Sequence, residues 1–437
     1  MTTISNSAVM RRNLVRGSFA QVTGAPWWFR ASCLFMLVGF FMTFVGVLGV
    51  AHLAATLRWV GLSLCLLGAA VLPERTRRSG SALAFSGLYL LVCFASALIS
   101  EFSLLAVAKW TALAMEIALG VCLLPGKLRR EDWKWCFDAF AWLMALMLIG
   151  CMLGLADPTA YQQQRFRGGL DVNPNTVGLI SLITFSLWAW RFTADWERHG
   201  WPLRTLLSGT VIVLCLFNLV LTGSRGSATA LAAVFAFWVA SQARHRGSRA
   251  VSLLIVFILA GAAYLSFDLL APHYGSFVRT RTYGGVLSSR MNRWQQCMND
   301  FRESPYLGVG YGVSSRAKGM EVGVSSIGSI TDGGGYFGLL ASVGSMGAAA
   351  FLSVLIYAYW QGLRLLRRPD AYLPDYVHLY QGAAIVIGLS VNLVGEPWLM
   401  GPGNPVQLVF WLAIGALSTI GVLRAEPQDL TTSTNAS

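Results

Sequence analysis

Arginine is the residue type best placed to do chemistry in this sequence. The segment 272–334 carries Arg279, Arg281, Arg290, Arg293, Arg302, Arg316 and Lys318. Two shorter segments add Arg165 with Arg167, and Arg225 in a T-G-S-R-G turn. A guanidinium is a planar fork that makes paired, charge-assisted bonds to phosphate, so this pattern suits an anionic, phosphate-bearing ligand. Carboxylates that could take a proton beside those cations are Asp332, Glu396 and Glu101. Asp332 precedes three glycines at 333–335, which would let backbone approach a ligand closely; its other role is to cap the helix that follows. Glu396, in V-G-E-P-W, either moves a proton or pairs with an arginine.

These residues are set in an unusually apolar chain. Of 437 residues, 55% are apolar and 12% are Asp, Glu, Lys or Arg, where a soluble domain carries about 25% charge. The mean hydropathy is +0.57. A soluble enzyme, a nucleic-acid reader and a disordered scaffold are excluded, and the net charge of +13 reports membrane topology instead. Runs long enough for a bilayer fall near 29–53, 56–73, 82–99, 103–125, 134–156, 176–193, 203–222, 226–241, 249–271, 335–361, 376–396 and 404–424. The expected fold is an all-α polytopic membrane protein of about twelve spans. Its parts are a cytoplasmic tail at 1–28, nine spans over 29–271, a large periplasmic loop at 272–334, three spans over 335–424 and a disordered tail at 425–437.

Orientation follows from the basic residues. With the N-terminus inside, 21 of the 33 Lys and Arg lie on the cytoplasmic side, as the positive-inside rule requires. Both termini are then cytoplasmic, and no cleavable signal pattern is seen. The arginines named above fall on the other face, where topology does not account for them. Arg225 is expected to be wedged between apolar helices, and an ionisable residue at membrane depth is a functional hypothesis. Lys109 and Glu116, seven residues apart on one span, either line a ligand path or pair structurally. Asn173 and Asn175 in D-V-N-P-N either bond a sugar or cap the next helix. No zinc-type Cys/His spacing, phosphate loop or dinucleotide fingerprint occurs.

Within the long loop, 287–301 places Leu287, Met291, Trp294, Met298 and Phe301 at helical spacing, with Ser288 or Ser289 as N-cap. This predicts an amphipathic helix with that stripe against the membrane face of the protein. Pro305 and the run YLGVGYGV follow.

LTGSRGSATALAA at 221–233, SSRMNRWQQCMNDFRESPYLGVGYG at 288–312 and GGYFGLLASVGSMG at 334–347 together resemble the O-antigen ligase and Wzy-type polymerase superfamily. The matched features are an S-R-G turn, an S-R-x-x-x-W helix in a large periplasmic loop, a P-x-x-G-x-G turn and the opening of the next span. They cover about 130 residues. The resemblance implies a GT-C-like, metal-independent, inverting glycosyltransferase of the bacterial inner membrane. It would act on undecaprenyl-pyrophosphate-linked glycans at the periplasmic face and use no cofactor. It implies that Arg225 and Arg290 bind the pyrophosphate, with Arg293, Arg165 and Arg167 as further candidates. Ligases of the family carry a His-Asn pair where this chain has Gly333 and Gly334. That departure favours a polymerase for exopolysaccharide or O-antigen, with Asp332 or Glu396 as base. The implied partners are a lipid-linked glycan donor, a glycan acceptor, the bilayer and a chain-length regulator, with no nucleic acid. A ligase acting on lipid A-core, and a transporter or flippase of the lipid-linked glycan, stay open as alternatives.

Overall fold

A computed structural model describes residues 24–44, 48–75, 79–155, 161–162, 165–168, 173–199, 202–242, 288–313, 335–367, 373–401 and 403–420. The described chain is helical apart from a hairpin of two two-residue strands, β1 (Tyr161–Gln162) and β2 (Arg165–Phe166), paired antiparallel. The helices are α1 (Trp27–Met42), α2 (Leu48–Val71), α3 (Gly80–Ile99), α4 (Ser103–Ile117), α5 (Leu124–Lys127), α6 (Arg130–Met152), α7 (Pro174–His199), α8 (Leu203–Thr222), α9 (Arg225–Gln242), α10 (Ser288–Glu303), α11 (Tyr336–Arg367), α12 (Leu373–Asn392) and α13 (Pro405–Ser418). Among the described residues, six helical stretches are long and apolar enough to cross a membrane: Gly80–Ile99, Ser103–Lys127, Arg130–Met152, Pro174–Arg198, Leu203–Thr222 and Tyr336–Arg367. Shorter apolar helices are Trp27–Met42, Thr56–Val71 and Pro405–Ser418. The protein is thus a polytopic membrane protein. The expected span at 249–271, the N-terminal tail before residue 24 and the tail at 425–437 lie outside the described residues.

Helix type follows from which faces are apolar. In α7, apolar and small polar residues run all round, and Val177, Ile180, Ile183, Phe185, Leu187, Trp188 and Trp190 are all buried. Helix α13 is likewise buried throughout. A helix apolar on every side belongs at the centre of a bundle. Helices α2, α3 and α8 instead show one apolar side outward, through Leu64 and Leu67, Leu88 and Leu91, and Leu206 and Val213. In water such stripes would be costly; in a bilayer they are the lipid contact.

Two boundaries differ from the sequence expectation. The first turn was expected near residue 54, but α1 ends at Met42 and α2 already begins at Leu48. The run between them has no charged or proline punctuation, so hydropathy alone could not locate the turn. The fourth span was expected to be plain α-helix, but it passes through a π turn at Ala118–Leu123. There Gly120 meets the backbone of Trp411, and Gly415 meets the carbonyl of Gly120. The two helices touch backbone to backbone, and an inserted π turn re-aims one of them.

The feature that most shapes one end of the bundle is the segment Pro305–Val313 after α10. It packs against α11 at a break in that helix, where Gly344 has φ 64° and ψ −170°. The groups on either side of the break exchange bonds with the segment. Val309 N donates to Ala341 O at 2.9 Å and Gly310 N to Ser342 O at 3.1 Å. In return, Ser345 N donates to Pro305 O at 2.8 Å and Met346 N to Tyr306 O at 3.2 Å. Irregular backbone inside a membrane protein must be satisfied internally, and these bonds do it. The segment's far end is held by Lys109, fully buried, whose Nζ donates to Gly312 O at 2.6 Å. Gly308, Gly310 and Gly312 all have positive φ, which accounts for the glycines of YLGVGYG.

Candidate functional site

The site is built where α7, α9 and α11 begin, α12 ends, and α10 lies across them. Helix α10 forms as predicted, but its buried face is rotated. Met291 is 49% exposed, whereas Cys297 is buried and Trp294 packs against Phe337 of α11 with ring centroids 5.0 Å apart and the rings tilted by 32°. The inward stripe runs through Arg290, Trp294, Cys297 and Phe301, at spacings of four, three and four. Asp300 is buried as well. The apolar pattern alone pointed at Met291 because Cys297 and Arg290 were not counted as inward residues. Leu287 lies outside the described residues.

Because Arg290 is on that inward stripe, its side chain reaches the turn after α12. Arg290 Nη2 donates to Glu396 Oε1 at 2.6 Å. Asn175 Nδ2, in the first turn of α7, donates to the same oxygen at 3.0 Å. Among the described residues no partner falls on Glu396 Oε2. The guanidinium also rests against Gly395. Of the two roles weighed for Glu396 in the sequence, ion pairing with an arginine is the one displayed. Asn173 caps: its Oδ1 accepts from Asn175 N at 2.9 Å, which leaves the Asn175 amide to hold the carboxylate.

Arg225 sits on the adjoining turn. It is the first residue of α9 and exposed, not wedged between helices as expected. Its neighbours are the buried ones. Ser224 packs against Gly178 of α7. Ser224 Oγ donates to Ser227 Oγ at 3.1 Å, and Asn392 Nδ2 donates to Ser227 Oγ at 3.3 Å. Asn392 is fully buried, and its carbonyl accepts from the backbone N–H of Gly395 and Glu396. One asparagine therefore ties the turn bearing Arg225 to the turn bearing Glu396. Its role was not read from the sequence, where the only signal was a polar residue four positions before Glu396. The start of α9 also presents the positive end of its dipole, which favours an anion beside Arg225.

The other candidates divide. Arg293 is exposed on α10, one turn beyond Arg290. Arg165 opens strand β2, and Arg167 follows it, half-buried between the buried Phe166 and Gly168, which lies against Cys151 of α6. Glu101 is exposed in the turn between α3 and α4. Asp332, with Gly333, Gly334, Arg279, Arg281, Arg316 and Lys318, lies outside the described residues. Lys109 and Glu116 are both fully buried but serve different neighbours: Lys109 holds Gly312, and Glu116 lies near Arg58, whose Nη1 donates to Gly403 O at 2.9 Å. What the described site brings together is one forked cation held by a carboxylate, a second cation at a helix start, and a frame of buried amide and hydroxyl groups.

Residues 210–352 match a family model described as O-Antigen ligase. That stretch contains Arg225, α10 with Arg290, the Pro305–Val313 segment and the break at Gly344, and over it the resemblance to the O-antigen ligase and Wzy-type superfamily is shown. No curated protein matches the chain.

Proposed function

We propose that this protein polymerises lipid-linked glycan repeat units at the periplasmic face of the bacterial inner membrane, in the manner of a Wzy-type polymerase for exopolysaccharide or O-antigen. The donor is a glycan on undecaprenyl pyrophosphate, the acceptor is a second glycan, and both termini of the chain are cytoplasmic. The observation that carries this reading is Arg290, delivered by α10 to Glu396 on the turn that Asn392 ties to the start of α9, within the stretch that matches the family.

The acceptor hydroxyl attacks C1 of the donor sugar and the lipid pyrophosphate leaves, gaining negative charge as the bond breaks. Fixed cations at that point stabilise the charge, and more strongly where water is excluded. Arg225 and Arg290 are assigned to the pyrophosphate, with no metal ion. Arg293, Arg165 and Arg167 supply a positive field around it. Glu396 and Asp332 are the candidates to accept the hydroxyl proton, a contribution of about 10²–10⁴-fold. The remaining work is to hold donor and acceptor in register, which suits a GT-C-like frame of fixed helix ends. A chain-length regulator is a proposed partner.

A ligase that transfers finished glycan to lipid A-core is the second reading, favoured by the O-antigen ligase description of the matching family. Gly333 and Gly334 at the ligases' His-Asn position weigh against it. The test is the surface glycan of a deletion strain complemented with Arg290→Ala or Arg225→Ala. Loss of polymer with single repeat units still made supports polymerisation. Normal polymer retained on its carrier supports the ligase. Unchanged glycan from both variants overturns the site assignment.

A further inference from the structure

The geometry points to Glu396 as an internal counter-anion that donor pyrophosphate displaces from Arg290, so that arrival of the donor is what frees the base. The inference rests on the reading of Arg290 as a pyrophosphate ligand and adds an order of events to it. Glu396 Oε1 accepts from Arg290 at 2.6 Å and from Asn175 at 3.0 Å. The two charged side chains keep 25% and 20% exposure, so a ligand can reach the pair, unlike the fully buried Lys109. A guanidinium stays protonated; only its anion can change. Pyrophosphate carries more negative charge than one carboxylate and offers several oxygens to the guanidinium fork. When Arg290 turns to it, Glu396 loses a cation but keeps Asn175, so the carboxylate stays in place. Its charge is then no longer balanced by the guanidinium.

The step then balances. The acceptor O–H proton passes to Glu396 Oε2, and the hydroxyl oxygen's electron pair forms the new bond to C1 of the donor sugar. The bond from C1 to the pyrophosphate oxygen breaks, and its electron pair leaves with the lipid pyrophosphate beside Arg290 and Arg225. The proton on Glu396 returns to water. Before the donor arrives, the charge of the same carboxylate is engaged by Arg290 through Oε1.

The test uses the full chain in detergent or lipid nanodiscs, with farnesyl pyrophosphate as the binding probe for calorimetry and glycan transfer measured in parallel. Glu396→Gln is expected to bind the probe about five- to tenfold more tightly, the scale of one charge-assisted bond, while transferring glycan more slowly. Arg290→Ala is expected to bind it at least about tenfold more weakly, and adding Glu396→Gln to that variant should restore nothing. A structural role for Glu396 would move affinity and turnover in the same direction. Unchanged or weaker binding by Glu396→Gln, with Arg290→Ala still weak, overturns the displacement but leaves the pyrophosphate site standing. Wild-type binding by Arg290→Ala overturns both. Should Glu396→Gln fail to fold, Glu396→Asp keeps the charge on a shorter arm; it must show the same opposed changes, with about twofold tighter binding, or the displacement is overturned.

Discussion

Gly344→Ala tests the packing of Pro305–Val313 on α11 most directly. Gly344 has φ 64° and ψ −170°, a region open essentially to glycine alone, and forcing another residue into it costs about 1–3 kcal/mol. A methyl group there would also fall on the backbone of Tyr306 and Leu307. It would part the bonds from Ser345 N to Pro305 O and from Met346 N to Tyr306 O, each contributing about 1 kcal/mol. The total is about 3–5 kcal/mol, obtained by adding these two contributions. That is comparable with the whole stability of a small domain, but here it falls on one local interface. The expected outcome is release of the segment while the bundle stays folded. Amide hydrogen exchange reads this at Val309 and Gly310, whose N–H groups bond Ala341 O and Ser342 O. Exchange should rise roughly 10²- to 4 × 10³-fold, at tenfold per 1.4 kcal/mol, and glycan transfer should fall because α10 loses its footing. Gly87→Ala is the control: a side chain there meets nothing within 4 Å, and a mid-helix alanine should add about 1 kcal/mol of stability. Unchanged exchange at Val309 and Gly310 in Gly344→Ala would refute the reasoning.

Two other expectations concern buried polar groups. Lys109→Met removes the donor from Gly312 O and leaves that carbonyl unsatisfied, which should cost about 1–3 kcal/mol, read as a lowered thermal midpoint in detergent. Asn392→Leu keeps the volume and loses the bond to Ser227. Its stability should change by less than about 1 kcal/mol, because Ser227 Oγ still accepts from Ser224 and the Asn392 Oδ1 that is removed has no hydrogen-bond partner among the described residues. Transfer should still fall as the Arg225 turn loosens from the Glu396 turn, checked by thermal unfolding beside glycan assay.

Much of the frame is legible in hydropathy. The runs expected at 82–99 and 203–222 are Gly80–Ile99 and Leu203–Thr222, because each is one apolar stretch with punctuation at both ends. The helix carrying Arg290 is legible for the same kind of reason. What escaped is set by contacts between distant segments. The π turn depends on Gly120 meeting Gly415, and the break at Gly344 depends on Tyr306 lying across it. Neither has a local signature distinct from an ordinary glycine in a span. At the site, residue types disclosed the cations but not their partners. Glu396 was legible as a carboxylate on the same face as the arginines; that Asn175 shares its oxygen follows only from where α7 starts.

The bonds between Pro305–Tyr306 and Ser345–Met346 have a topological consequence. They tie Pro305–Tyr306 to Ser345–Met346, two places about 40 residues apart in the chain, so the backbone is closed on itself there. Closure entropy grows only with the logarithm of contour length, about 0.6 kcal/mol per doubling. A change of chain length between those two ties therefore costs little, and the ties themselves keep the end of α10 against α11.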